Sequence, residues 1–214
     1  MHTHHDPPSV VETRLVHEMH RRATSLLADA FARPAASDDA VSHLRDLVVA
    51  TLHHHHRGED ADLWPLLLDA APDLTDPLSA LSVEHQQLDV ALDVLHEMPV
   101  GDISQQAAAE LGVAVRDLVH EHLAHEEPVL LPALREHVPD EVWEEFSARM
   151  VATSPPVGTD LLVALLHGVG SDSEVEVIFH HLPASERELL PTLRAQGEAS
   201  LAQLGMTTDA GRTS

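Results

Sequence analysis

Two segments of the chain each place a glutamate four residues after a histidine. They read HHHHRGEDADLWPLL at 53–67 and HLAHEEPVLLPAL at 122–134. On an α-helix, residues i and i+4 lie on one face about 6 Å apart along the axis, so both side chains can reach one metal ion beside the helix. Imidazole nitrogen and carboxylate oxygen are ligands that suit iron, manganese, nickel, copper or zinc. The spacing therefore predicts metal binding by both segments.

The two segments belong to an internal repeat. At a constant offset of 67 residues, His55 matches His122 and Glu59 matches Glu126, and several flanking residues match as well. At an offset of 68, His17 falls on His85. The chain has 19 histidines, so one HxxxE motif could arise by chance, but two with matching flanks and a matching upstream histidine could not easily do so. The repeat predicts two helical hairpins, each with one histidine followed further along by HxxxE.

Long helical patterns position these residues. Apolar residues recur at helical spacing and strand signals are almost absent, so we predict an all-α protein. Four long helices with short loops predict an antiparallel up-down four-helix bundle over residues 9–137. The predicted helices cover about 9–32, 38–71, 76–98 and 104–137. Pro65 and Pro132 fall inside the second and fourth helices, where each predicts a kink or a loosened turn.

The chain beyond the bundle differs in character. Residues 138–205 predict a C-terminal helical extension packed on the bundle, with one short helix at its start and three more after a Pro-rich linker. Residues 206–214 predict a disordered tail. Near the other terminus, His2, His4 and His5 predict a disordered segment that attracts metal only weakly.

The apolar stripe of each helix indicates which candidate residues face the core. His122 and Glu126 fall in the centre of the stripe on the fourth helix, and Glu59 falls in the centre of the stripe on the second. His55 and His56 flank that second stripe about equally. We favour His55 because it lies four residues before Glu59.

The first helix leaves a choice between two histidines. The repeat register favours His17, whereas the apolar pattern of that helix taken alone slightly favours His20. We favour His17 and keep His20 as an extra ligand or a supporting group. A buried carboxylate is costly unless it is paired or bound to a metal. Four histidines and two glutamates at one level of a bundle therefore predict a dinuclear metal centre, in which the glutamates can bridge two ions.

Other histidines are predicted to play lesser roles. His53 and His54 are predicted to face solvent or a helix flank. For His56 and Asp60 the pattern divides evenly between support of the ligands and the surface. His180 and His181 are predicted to be surface or lid residues.

Composition limits the partners. The formal charge is −24 and all 12 basic residues are arginines, which argues against a nucleic-acid partner. The sequence contains no apolar run long enough to span a membrane and no apolar signal-peptide core, so we expect a cytoplasmic protein without a membrane partner. The chain has no cysteine, which excludes disulfides and thiolate metal sites.

The pattern H…HxxxE…H…HxxxE, over roughly residues 10–137, resembles the hemerythrin-like HHE cation-binding family. Members of that family are non-heme di-iron four-helix bundles. The resemblance implies two non-heme iron ions joined by an oxo or hydroxo bridge. It implies His17, His55, His85 and His122 as terminal ligands and Glu59 and Glu126 as bridging ligands. Spacing alone would not have chosen iron among the metals above.

The resemblance also implies a function, which is the reaction of a di-iron centre with a small diffusible ligand: O2, peroxide or nitric oxide. Oxygen-carrying hemerythrins place two histidines, spaced HxxxH, on the third helix. Here His85 is followed four residues later by Asp89. We therefore expect a more open, carboxylate-rich site that consumes peroxide, in the manner of a catalase, ahead of stable oxygen carriage. The alternatives are an iron-binding sensor or buffer without turnover, and a di-iron oxidase of an organic substrate.

Overall fold

The computed structural model of the chain describes residues 6–33, 37–101 and 104–204. These residues form helices and no strand, which confirms the predicted all-α class. The predicted disordered tail and the histidines at positions 2, 4 and 5 lie outside the described residues. The α-helices are α1 (Pro8–Phe31), α2 (Asp38–Gly58), α3 (Trp64–Ala70), α4 (Thr75–Glu97), α5 (Gln105–His137), α6 (Asp140–Ala152), α7 (Thr159–Val169), α8 (Asp172–Phe179), α9 (Ala184–Arg187) and α10 (Leu190–Gln203).

Four long helices enclose the candidate residues. Helix α1 packs against α2 and α5, and α4 packs against the same two helices, so the four close into a ring. Apolar side chains form two core clusters, one containing Leu52, Leu88 and Val119 and the other containing Leu63, Leu81 and Leu130. Along α2, α4 and α5 the candidate metal residues lie between these two clusters. The ring agrees with the predicted bundle, whereas the up-down direction of its helices remains a prediction.

The second predicted helix is interrupted. Helix α2 ends at Gly58, a π-helical turn covers Glu59–Leu63, and α3 follows. In the π turn, the backbone N–H of Trp64 donates to the carbonyl of Glu59, five residues earlier. The cause is Pro65, because its ring clashes with the carbonyl four residues before it and it has no N–H to donate. The loosened turn predicted at Pro65 is thus confirmed, and it lies one turn before the proline. It begins at Glu59, which is a candidate metal ligand.

The fourth predicted helix behaves differently. Helix α5 continues as an α-helix through both Pro128 and Pro132 to His137. The prediction of a loosened turn at Pro132 is therefore wrong. Two neighbouring helices, α1 and α4, pack along α5 and hold it in place despite the missing backbone donors.

The C-terminal helices pack on one face of the bundle. Helix α1 contacts α6, α7 and α8, and α7 packs closely on α10. A Cβ atom at Gly197 of α10 would overlap the carbonyl oxygen of Asp160, so glycine permits this close approach. The Asp160 carboxylate accepts hydrogen bonds from His43 of α2 at 2.8 Å and from Ser200 at 3.0 Å. The last predicted helix is divided, since α9 ends at Arg187 before α10 begins.

The hydrophobicity of the helices also bears on membranes. Within the described ranges, no helix combines the length and the apolarity that crossing a bilayer requires.

Candidate metal centre

The six predicted ligands converge on one buried space. His17 comes from α1, His55 from the end of α2, and Glu59 from the first position of the π turn. His85 comes from α4, and His122 and Glu126 from α5. All are buried except His55, which is half-buried.

The candidate ligand atoms fall into two adjacent groups. His17, His55, Glu59 and Glu126 each offer one atom, and these atoms all lie within 4.8 Å of one another. The second group contains His85 and His122 together with His56, within the same limit. Each group is large enough to hold one metal ion.

The two glutamates face both groups. One carboxylate oxygen of Glu59 lies 3.4 Å from Nε2 of His55, and the other lies 3.5 Å from Nε2 of His85. One oxygen of Glu126 lies 3.2 Å from Nε2 of His122 and 3.8 Å from Nε2 of His17. Each carboxylate therefore stands between a histidine of one group and a histidine of the other, which is the arrangement a bridging ligand needs.

Buried polar atoms without hydrogen-bond partners concentrate in this space. Leaving such an atom unpaired is costly, so an accumulation of them calls for a ligand. The donor set of imidazole nitrogens and carboxylate oxygens fits one or more transition-metal ions. The unpartnered atoms are Nε2 of His17, His55, His56, His85 and His122, Nδ1 of His20 and His85, Oε2 of Glu59, and both carboxylate oxygens of Glu126.

Comparison with known families agrees with this geometry. Residues 11–141 match the model of the family described as the hemerythrin HHE cation binding domain. The chain belongs to the hemerythrin HHE family. No curated protein and no solved structure is matched by the chain. The family binds metal ions, and the matched residues contain both groups of candidate ligands in this chain.

The electrostatics of the HHE site suit metal binding. Burial, reinforced by the charges of neighbouring histidines, lowers the pKa of His20 and of His55 well below the usual value. Burial and the charges of His56 and His122 lower the pKa of His85 to about 4. These imidazoles are therefore neutral at pH 7, the form that binds metal. Burial alone would also lower the pKa of His122, but hydrogen bonds and charges from Glu126 and Glu84 raise it.

The glutamates of the HHE site carry unequal proton affinities. Burial, followed by the negative charge of Glu126, raises the pKa of Glu59 well above its usual value. Burial would raise the pKa of Glu126 too, but His17 and His122 outweigh it and lower that pKa to about 2. Without metal the two adjacent carboxylates therefore share one proton, because both cannot be ionised so close together. A cation between them removes that conflict.

Three carboxylates outside the space lie close to Nδ1 atoms of the candidate ligand histidines. Nδ1 of His17 donates to Glu127 at 3.1 Å, and Nδ1 of His122 donates to Glu84 at 2.9 Å. Asp60 lies 3.1 Å from Nδ1 of His85. When Nδ1 carries the proton, the lone pair of Nε2 points into the metal site, and the carboxylate makes the imidazole a stronger donor.

The internal repeat explains two of these contacts. Asp60 and Glu127 occupy equivalent repeat positions, each directly after a candidate bridging glutamate. Glu127 of the second hairpin holds His17 of the first, and Asp60 of the first hairpin approaches His85 of the second. The sequence predicted equally that Asp60 supports a metal ligand or lies at the surface. In the structure Asp60 is exposed and also lies close to the ring of His85.

His56 is the residue that the sequence analysis underrated. It is buried, its ring stacks on His85 with centroids 4.5 Å apart, and it joins His85 and His122 in one group. Its Nδ1 donates to Asp89 at 2.7 Å. Asp89 stands where an oxygen-carrying relative has its additional histidine, so the carboxylate there positions a histidine that reaches in from α2. His56 therefore adds a buried histidine from α2 beside His85 and His122, and the predicted ligand set did not include it.

His17 and His20, the two candidate ligands on α1, occupy different places relative to the first group. Both residues are buried, with exposed fractions of 0% and 1%. His17 lies in the group with His55, Glu59 and Glu126, as the repeat register predicted. His20 lies next to that group, with its ring centroid 5.1 Å from that of His55.

The remaining histidines that the structure describes lie outside the two groups. His53 is half-buried and faces Asp89 and Asp93, and His54 pairs with the hydroxyl of Thr153 at 3.0 Å. His180 and His181 gather around Glu144, on α6, and form a third group that includes two exposed residues. The described structure thus keeps the first two histidines of the HHHH run out of the centre and brings in the last two.

Proposed function

We propose that the chain holds two iron ions between α1, α2, α4 and α5. One ion would be held by His17 and His55 and the other by His56, His85 and His122, and Glu59 and Glu126 would be shared between them. The observation that carries this proposal is the pair of glutamates, each standing between histidines of both groups with unpartnered oxygens. Bound iron would supply redox chemistry and coordination positions for O2, peroxide or nitric oxide.

We further propose that peroxide consumption is preferred to reversible oxygen carriage. With His56 present, the number of histidines no longer distinguishes this site from that of a carrier, so the preference needs different support. That support is the negative charge around the histidines: Asp60, Glu84, Asp89 and Glu127 each face an Nδ1 atom. Carboxylates in this position make imidazoles stronger donors, and stronger donors stabilise the oxidised metal.

The residues of the chain contribute positioning and an apolar surrounding. The carboxylates orient the rings before any ion binds, and apolar clusters lie on both sides of the centre. The neutral imidazoles of His55 and His85 can accept a cation without losing a proton, whereas the proton held between Glu59 and Glu126 must leave. The small ligand must approach from the side of His20 and His55, where the walls open into a cavity.

The experiment begins with metal content by mass spectrometry of the purified chain. Two irons per chain are expected, and one zinc would contradict the proposal. The reduced protein is then mixed with O2, and the diferric protein with hydrogen peroxide. We expect O2 evolution from peroxide without a long-lived oxygenated spectrum. An oxygenated spectrum reversed by degassing indicates a carrier, and no reaction at all indicates a sensor or buffer.

A further inference from the structure

An apolar cavity lies between the bundle and the C-terminal helices. Its volume is about 430 Å³, within the range typical of small-molecule sites. Side chains from α1 and from α6, α7, α8 and α10 form its walls. The apolar wall residues include Met19, Phe146, Met150, Leu162, Leu166, Ile178 and Leu193. O2 or peroxide needs far less space, so the size of the cavity is unexplained by the proposed reaction.

One end of the cavity is the metal centre. His20, His55 and Glu59 all line it. Nδ1 of His20 and Nε2 of His55 are buried and have no hydrogen-bond partner among the described residues. A molecule in the cavity would therefore have an apolar body against the C-terminal helices and one end beside these two imidazoles.

The lining excludes a charged occupant. The described residues around the cavity include no arginine, and the whole chain has no lysine, so away from the metal centre a carboxylate or phosphate would find no cation. Glu186, an exposed carboxylate at the wall, would instead repel an anion. A cation is also disfavoured, since burial raises the pKa of Glu12 to about 7 and the remaining wall would strip the water from the charge.

The lining also indicates the shape of the occupant. Branched aliphatic and methionine side chains dominate, with Trp143, Phe146 and Phe179 as the aromatic exceptions. Such walls adapt to a flexible chain rather than to a flat ring. Among the polar lining residues away from the centre, Glu12 is buried on α1 and accepts a hydrogen bond from Ser147. A hydroxyl or carbonyl group on the occupant would find a partner at Glu12 or at His20.

We propose that this cavity binds a neutral aliphatic molecule carrying one hydroxyl or carbonyl group, with one end beside His20 and His55. The proposal rests on the cavity and its lining, and does not depend on the reaction with peroxide. An occupant would cover the approach to the centre from this side and would alter the access of small ligands.

The test uses three probes with the same chain length: 1-decanol, decanoate and decylammonium. Equilibrium dialysis against the full-length chain should give saturable binding of decanol, at least tenfold tighter than that of either charged probe, with the comparison to decanoate made on metal-free protein so that its carboxylate cannot bind iron. Saturable binding should also raise the melting temperature. Equal affinities for the three probes, or no saturation with decanol, would overturn the proposal.

Variants locate the site. Leu162→Trp fills the cavity from a half-buried wall position and should weaken decanol binding at least tenfold while leaving metal content unchanged. Val94→Trp is the matched control, because Val94 is 53% exposed on α4 and does not line the cavity. If Leu162→Trp fails to fold, Ile178→Phe fills the same space from another half-buried wall position. Unchanged binding in a folded cavity variant would contradict the assignment.

A spectroscopic readout tests the position of the occupant. Saturating decanol should shift the absorption bands of the iron-loaded protein in the wild type and in Val94→Trp. An unchanged spectrum at saturation would refute the placement beside His20 and His55. Because dialysis can be repeated on metal-free protein, decanol binding without iron would separate this proposal from a failure of the di-iron proposal.

Discussion

The two sides of the centre are built differently. On the enclosed side, defined by His56, His85 and His122, every ring has a carboxylate within 3.1 Å of its Nδ1. On the cavity side, defined by His17, His20 and His55, a carboxylate holds His17. Among the described residues, Nδ1 of His20 and Nδ1 of His85 both lack a hydrogen bond, but His85 has the Asp60 carboxylate at 3.1 Å and His20 has no such ion pair. The comparison indicates a division of roles: the enclosed side fixes metal, and the cavity side admits and exchanges ligands.

The internal repeat shows where this difference arises. With the offset of 68 residues, Glu84 and Asp89 of α4 correspond to Val16 and Arg21 of α1. The two α4 carboxylates hold His122 and His56, while Val16 lines the cavity instead. Arg21 pairs with Glu127 at 2.8 Å. Two positions in otherwise similar hairpins thus separate a hydrogen-bonded side from an open one.

The largest effect is expected from the residues that both sides share. Glu59→Ala and Glu126→Ala should each remove both ions, because each carboxylate faces histidines of both groups. Metal content by mass spectrometry measures the loss. Asp93→Ala, at an exposed carboxylate on α4, is the control and should keep both ions. Retention of one ion in either variant would show that the glutamate is not a bridge.

The next effect distinguishes the sides directly. His56→Ala and His85→Ala should lose the ion of the enclosed side and keep the other, so the iron-to-protein ratio should fall by half. On the cavity side, His17→Ala and His55→Ala should be damaging, whereas His20→Ala should keep both ions and change the rate of reaction with peroxide. If His20→Ala alone empties the site, His20 rather than His17 is the ligand on α1.

A smaller effect is expected from the supporting carboxylates. Asp89→Asn and Glu127→Gln keep the shape of the side chain but weaken the hydrogen bond to His56 or His17, and should lower metal affinity about 10- to 100-fold. Competition with a chelator measures this affinity. Glu141→Gln, at an exposed carboxylate on α6, is the control. Affinity unchanged in both variants would mean that packing alone orients the rings.

The wall of the cavity should show a dependence on pH. The pKa of Glu12 is about 7 in the folded chain and near 4.5 in the unfolded chain, because burial disfavours its charge. As pH rises between these values the unfolded chain loses this proton first, so Glu12 destabilises the fold at high pH, by roughly 3 kcal/mol at most. Glu12→Gln should therefore gain stability over the wild type between pH 5 and pH 8. Urea unfolding at both pH values tests it, and a constant difference would contradict it.

The smallest effect is expected at the start of the HHHH run. His53→Ala and His54→Ala should leave metal content unchanged, because neither side chain belongs to the two groups of candidate ligands. Comparison with His55→Ala and His56→Ala under the same conditions completes the series. Equal losses in all four would indicate that the run binds metal as a surface cluster.

Acidification applies to both sides together. Histidines must be deprotonated to bind metal, so the loaded protein should lose metal and stability as pH falls, and the metal-free chain should be less stable at neutral pH. Thermal melts with and without metal measure this difference. Identical melts would show that no metal is coupled to the fold.

The sequence alone determined the features that depend on local spacing. Helical periodicity predicted the all-α class, HxxxE placed His55 with Glu59 and His122 with Glu126, and Pro65 predicted the loosened turn. The repeat selected His17 and His85, which converge on the same space. Each of these follows from backbone geometry within one helix or from comparison of two hairpins.

Only the tertiary structure decided which side chains from different helices meet. His56 lies 33 residues from Asp89, and Glu127 lies 110 residues from His17, so no helical period relates them. His55 and His56 flanked their stripe equally, and the packing of α4 against α2 turned both toward the centre, one into each group. The cavity likewise exists only because the C-terminal helices pack beside α1. Such contacts depend on the rotation and separation of packed helices, which local sequence does not encode.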